Sequence, residues 1–188
     1  MSDHREGLPT ELSTERLLLR RWVPEDREPF AALNADPRVM KFFPEMLDRA
    51  GSDATADRIE AHFRKKGYGL WAVEISGVTG FAGFIGLATP RFEAHFTPCV
   101  EAGWRLAHEF WGQGYATEGA RAAFDFGFEL LGLDEIIALT TINNLRSRRV
   151  MERLGMHREP SDDFDHPLYD TDDPLRQHVL YRMRRASR

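Results

Sequence analysis

The stretch from Val100 to Gly127, VEAGWRLAHEFWGQGYATEGARAAFDFG, reads as a strand, a glycine-punctuated turn and a long helix. Gly112 and Gly114, within Trp111-Gly112-Gln113-Gly114-Tyr115-Ala116, can take backbone angles closed to other residues and leave room for a ligand near the main chain. The N–H groups of Gln113, Gly114, Tyr115, Ala116 and Thr117 would then meet in front of the helix, whose dipole adds a partial positive charge. Such a point holds an anion, most often a phosphate. The turn lacks the Lys-Ser/Thr of a P-loop, and the third glycine and later acid of a dinucleotide fingerprint. Taken alone, two glycines are weak evidence and read first as a tight strand–helix connection.

A second group opens the next helix. Asn144 and Ser147 are three apart in Asn143-Asn144-Leu145-Arg146-Ser147 and share a helix face. That face begins at the carboxyl edge of the preceding strand, where ligands bind in sheets of this kind. The alternative is an N-cap, with Ser147 satisfying the first turn. Beside the glycine turn, the pair reads as the other side of one ligand cleft. Cys99 as a covalent nucleophile would need an activating histidine, and neither His95 nor His108 is specifically placed for it. Tyr115 reads as packing or a ligand contact, and no His/Cys/Asp cluster has metal-site spacing.

These residues need elements to position them. Thr14–Val23 reads as a first strand, Pro24-Glu25-Asp26 as a helix start, and Asp36-Pro37 as its break. Ser52 or Asp53 caps a second helix that ends at Gly67. Leu70–Ile75 and Phe81–Leu87 form a hairpin across Ser76-Gly77. Pro90–Pro98 is a loop and Cys99–Leu106 a strand. Ala116–Leu131 is a helix with one apolar face. Glu135–Thr140 is a central strand, Asn144–Leu154 a helix capped by Gly155, Asp162–Asp173 an irregular excursion, and Gln177–Met183 a closing strand. This order predicts an α/β (α+β) domain, a mixed sheet covered by helices.

The 188 residues suit one domain with one sizeable core, and 13 phenylalanines can anchor it. No run of apolar residues is long enough for a membrane span, and the polar N-terminus reads as a frayed lead-in. A net charge of −5 argues against nucleic acid as partner, and the basic tail Arg182–Arg188 reads as a solvated end. The single cysteine fits a reducing cytoplasm.

With these residues in view, the chain resembles the GNAT family of acetyl-CoA-dependent N-acetyltransferases, nearest the ribosomal-protein-alanine and small-amine branch. The resemblance rests on Thr14–Arg20 as opening strand and on Glu101-Ala102-Gly103-Trp104 followed by Trp111–Glu118. It rests also on Asn144–Ser147 with Met151–Met156. It implies one acetyltransferase domain over residues 1–188, with flexible ends at 1–12 and 184–188. About seven mostly antiparallel strands are implied, with a splayed central pair. The glycine turn (Gly112, Gln113, Gly114, Tyr115, Ala116, Thr117) would bind the pyrophosphate of coenzyme A. Pantetheine would lie along the main chain of Trp104, Arg105 and Leu106, and Asn144 would hold the coenzyme. The family pattern often opens this turn with Arg or Gln; here the position is Trp111.

The implied reaction is direct acetyl transfer to a primary amine, on a small molecule or a protein N-terminus, with no metal. Glu101, which shares a strand face with Gly103 and Arg105, is the candidate base, directly or through water. A structural pairing of Glu101 with an arginine is the alternative. Ser147 is the candidate hydrogen-bond or proton donor to the sulfur. His166 and His178 could reach the amine site, or be structurally paired. The acceptor would meet the Pro24–Lys66 helices and the Glu159–Arg176 loop, where six aspartates (Asp162, Asp163, Asp165, Asp170, Asp172 and Asp173) form an acidic surface or attract a cation. A monomer or homodimer is expected. The rival reading is a non-catalytic acyl-CoA-binding or partner-binding module on the same fold.

Overall fold

In the computed structural model, which describes residues 7–185, eight strands form one sheet in the order β1-β2-β3-β4-β5-β6-β8-β7. They are β1 (Leu12–Ser13), β2 (Leu17–Arg20), β3 (Leu70–Ile75), β4 (Thr79–Ala88), β5 (Glu101–Leu106), β6 (Glu135–Thr141), β7 (Phe164–Asp165) and β8 (Gln177–Arg184). The helices are α1 (Arg27–Asn34), α2 (Pro37–Met40), α3 (Arg49–Lys66), α4 (Tyr115–Asp125) and α5 (Leu145–Leu154). The expected class holds. Eight strands stand where about seven were expected: six longer ones, and two two-residue pieces, β1 and β7, that pair onto the edges.

Most pairs are antiparallel, but β5 and β6 run parallel and share one register pair, Glu101 with Ile137. The Ile137 N–H donates to the Val100 carbonyl at 3.0 Å. On either side the ladders are long: β4 holds β5 over six register pairs and β8 holds β6 over seven. The sheet is therefore two antiparallel slabs joined at a single bridge, and the gap between them opens beyond Glu101.

The helices cover both faces. Ala120, Ala123 and Phe124 of α4 and Met151 of α5 bury themselves against Ile85, Leu87, Ala102 and Ile136. On the other face Phe30 and Leu33 of α1 pack with Phe81 and Phe84. No helix among the described residues is long and apolar enough to cross a membrane.

Several local expectations change. Helix α3 starts earlier than Ser52, because the Asp48 carboxylate accepts from the Gly51 N–H at 2.7 Å and caps it there. Ser52 is buried instead and accepts from the Asn34 amide at 2.9 Å. Past Asp125 the α4 helix widens into a π-helical turn, Phe126–Leu130. At the ends, Leu12 pairs with Leu19 and the Thr10 carbonyl accepts from the Trp71 indole at 3.1 Å. Arg182 lies in β8, ion-paired to Glu135 and Asp162, both at 2.7 Å, so this part of the basic tail is structural. Of the ends expected to be flexible, residues 1–6 and 186–188 lie outside the described residues.

Candidate active-site cleft

The gap between β5 and β6 is lined first by backbone. Ala107 donates to Ala82 at 2.8 Å and Phe84 faces Arg105 in the register. Antiparallel pairing alternates, so the main chain of Arg105 belongs to the β4 ladder while the N–H groups of Trp104 and Leu106 point into the gap. The main-chain expectation over Trp104–Leu106 thus narrows to Trp104 and Leu106. The Leu106 carbonyl is occupied: it accepts from the Trp111 indole at 2.8 Å.

The glycine turn sits at the end of this wall. Gly112 and Gly114 have φ of 77° and 86°, the left-handed region, and Gly114 is the residue just before α4. No side chain caps this helix. The open side of Gly112 has nothing within 4 Å of where a Cβ would lie. The turn is bolted from behind. Arg16 donates to the Gln113 carbonyl at 3.0 Å, pairs with Glu118 at 2.6 Å and lies 4.6 Å over the Tyr115 ring. Trp111 packs inward, and the Arg146 guanidinium lies 4.7 Å over its ring. A cation therefore stands beside the turn, supplied by α5 rather than by position 111.

Across the gap, Asn144 caps α5: its side-chain carbonyl accepts from the Ser147 N–H at 3.3 Å. Its amide donates to Thr140 Oγ1 at 3.0 Å, which ties the helix start to the end of β6. Asn144 is thus first a structural residue. The Ser147 hydroxyl has no hydrogen-bond partner among the described residues and stays partly exposed, free for a ligand.

Glu101 stands at the bridge between the slabs. It makes no ion pair among the described residues, so the structural pairing with an arginine is absent. The surrounding protein strips water from its carboxyl and raises its pKa to about 7. It nonetheless keeps some accessible surface. A group enclosed on most sides but still wet on one is a group that lines a cleft. At neutral pH such a carboxylate is poised between its two forms, as a general base requires.

The acetyltransferase (GNAT) domain family matches residues 16–157. The chain belongs to the GNAT acetyltransferase family. The Bacillus subtilis protein YkkB is 35% identical over 154 residues, covering 79% of this chain and 86% of that one. The Aspergillus fumigatus FsC-acetyl coenzyme A-N(2)-transacetylase is 35% identical over 162 residues, 77% of this chain; the match spans 64% of that longer protein. The crystal structure of a GNAT-family acetyltransferase from Bacillus anthracis superimposes with a TM-score of 0.77 at 26% identity, covering 93% of this chain and 98% of that one.

In this GNAT domain burial and ion pairing decide what the remaining candidate residues can do. Burial, with nearby Glu101 adding to it, raises the Cys99 thiol to about 11, so no thiolate forms near neutral pH and a nucleophilic cysteine is disfavoured. His166 and His178 are buried with ring centroids 4.7 Å apart. Burial and the neighbouring His178 lower His166 to about 4, and burial lowers His178. Both rings are therefore neutral and packed, not poised bases. Three of the six loop aspartates are consumed by the chain's own arginines: Asp162 by Arg182, Asp163 by Arg158 and Asp165 by Arg176. The acidic surface is correspondingly weaker than its composition implies.

Two features lay outside the expectations drawn from sequence. A groove of about 570 Å³ runs beside α4 from Gly114, lined by Thr117, Arg121 and Arg153 among others. Neither arginine has an acidic partner among the described residues. On the opposite face, the Arg105 side chain is enclosed without a carboxylate. The alternation from Glu101 through Gly103 already placed it there, but nothing in the sequence shows that no acid reaches it.

Proposed function

We propose that this enzyme transfers an acetyl group from acetyl-CoA to a primary amine by direct attack in a ternary complex. The observation that carries this reading is Glu101: an unpaired carboxylate with a pKa of about 7 at the mouth of the β5–β6 gap. The gap fits a coenzyme A molecule chemically. Two positive-φ glycines leave the turn's N–H groups open to an anion, and Arg121, Arg146 and Arg153 bring cations to the α4 and α5 starts and flanks. Gln113, Tyr115, Ala116 and Thr117 would contribute main-chain donors around the pyrophosphate. Trp104 and Leu106 N–H groups would hold the pantetheine arm, as an edge strand pairs with an added one.

When bound, acetyl-CoA supplies the acetyl thioester. Glu101 takes the proton that the acceptor's ammonium must lose, directly or through one water, so that the free amine can attack the thioester carbonyl. The outward N–H groups of β5 stabilise negative charge developing on the carbonyl oxygen. The Ser147 hydroxyl donates a hydrogen bond to the departing sulfur. Asn144 acts by holding α5, and with it Ser147, against Thr140. The acceptor is an amine of a small molecule or a protein N-terminus, in the cytoplasm, handled by a monomer or homodimer. The FsC transacetylase, whose name specifies acetyl coenzyme A and an N(2) position, supports this choice of donor and acceptor atom.

The test is a steady-state assay with acetyl-CoA and a panel of amines and N-terminal peptides, beside calorimetry with coenzyme A. Ser147→Ala is expected to lower kcat about tenfold or more, the loss of one hydrogen bond to a charged group, with coenzyme affinity nearly unchanged. Wild-type turnover in both Ser147→Ala and Glu101→Gln would overturn the assignment of roles. Absence of coenzyme A binding would overturn the reading of the cleft.

A further inference from the structure

Arg105 is largely enclosed by protein, and no carboxylate among the described residues is paired to it. One of its terminal nitrogens donates to the Asn34 side-chain carbonyl at 2.6 Å. Its Nε is buried without a hydrogen-bond partner. The guanidinium carbon lies 3.9 Å over the Phe43 ring and 5.3 Å over Phe84. No salt bridge to it exists among the described residues; the one ionisable neighbour that acts on it is the Tyr169 phenol, which burial raises from its ordinary value and which is therefore uncharged near neutral pH. Burial lowers the Arg105 pKa to about 10. Removing a cation from water without an anion is costly, so proteins pair such groups. The residue as a whole keeps some accessible surface, while the Nε itself is covered.

Its place in the fold says what the missing anion belongs to. Arg105 is on the face of Glu101, four residues along β5, with Cα atoms roughly 13 Å apart at strand rise. The anion turn and α4 pack on the other face, so a coenzyme's phosphates are not its partner. Asn34 and Phe43 come from the α1–α2 region, and Tyr169 from the loop before β8. These are the two segments expected to border the acceptor, and Asn34 and Phe43 of the first touch this guanidinium.

Resting on the acetyltransferase reading above, we propose that Arg105 binds a carboxylate carried by the acceptor, so that the preferred substrate is a small amino-acid-like amine rather than a peptide N-terminus. The amine goes toward Glu101 and the carboxylate toward Arg105, where the terminal nitrogen not engaged by Asn34 receives it. A peptide N-terminus has no free α-carboxylate and leaves Arg105 unpaired.

The experiment compares matched ligands on the coenzyme A-loaded protein. The twenty L-amino acids and their carboxamides are titrated by calorimetry, with the ¹⁵N Nε–H resonance of Arg105 followed in parallel; acetyl transfer to the same set is then measured. At least one amino acid is expected to bind about 10- to 100-fold better than its amide, the range for a hydrogen-bonded charge, and to move the Arg105 resonance. Arg105→Gln should abolish that preference and Arg105→Lys retain part of it, with coenzyme A affinity unchanged in both. If no amino acid outperforms its amide, if amidated peptides are preferred, or if the preference survives Arg105→Gln, the proposal is overturned while the acetyltransferase reading stands. Failure to bind coenzyme A would instead overturn both.

Discussion

Replacing Glu101 with glutamine should slow the enzyme and stabilise it, and the second effect should depend on pH. The folded carboxyl titrates at about 7 against an ordinary value of 4.5. Between those values the native state keeps a proton that the unfolded chain has released. Stability therefore falls as pH rises through this window and levels off above about 7. At about 1.4 kcal/mol per pH unit the interval comes to about 3.5 kcal/mol, an upper bound. Water in the open cleft screens the group and brings the expected cost to about 1–3 kcal/mol. Glutamine does not titrate, so any fixed cost of burying its amide cancels from the pH trend. Urea denaturation of both proteins from pH 5 to pH 9 would show wild type losing stability relative to Glu101→Gln up to about pH 7 and running parallel beyond it. On a good acceptor, kcat should fall about 10²- to 10⁴-fold, the usual worth of a general base. The wild-type rate should rise through the same midpoint. A stability gap that is flat with pH, or a rate limb centred near 4.5, would refute both the buried carboxyl and its use as a base.

Two further outcomes follow from the backbone around the cleft. Gly83 has φ of 136°, and a Cβ there would lie 2.1 Å from the Arg105 carbonyl oxygen. Gly83→Ala should therefore cost about 2–3 kcal/mol or more in a denaturation curve and weaken coenzyme A binding by displacing β5. Asn144→Ala removes the α5 cap and the link to Thr140, with an expected loss of about 1–2 kcal/mol and a lower kcat because Ser147 is no longer held; unchanged kcat would separate the cap from catalysis.

Much of the site was legible because local rules act on neighbours in the chain. The strand–turn–helix around Gly112 and Gly114 follows from glycine's freedom at positive φ, and Asn144 with Ser147 follows from capping geometry. Helix α3 was misread at its start because Asp48 competes with Ser52 as a cap. Ser52 lost because Asn34, 18 residues away, offered it a buried partner. The fate of the charged residues was least legible. Arg182 in a supposed tail is settled by ion pairs to Asp162 and to Glu135, which lie 20 and 47 residues away in sequence. Arg105 is the converse: alternation along β5 fixed its face, but an absence of partners is a property of the assembled fold. The splay has the same character. It depends on β4 and β8 each holding one of two adjacent strands, which no stretch of either strand reveals.

The indole of Trp111 works as a gauge block. By closing the span from Leu106 to Trp111 with one 2.8 Å bond, it fixes the separation between the last gap-facing residue of β5 and the turn before α4. Insertions in the segment 41–48 or in the loop 166–176 would alter only what borders the Arg105 side. An insertion within 107–110 would change the length of the interval itself. In a lineage that diversifies its acceptors, loop length should therefore drift freely at the first two places and stay constant at the third.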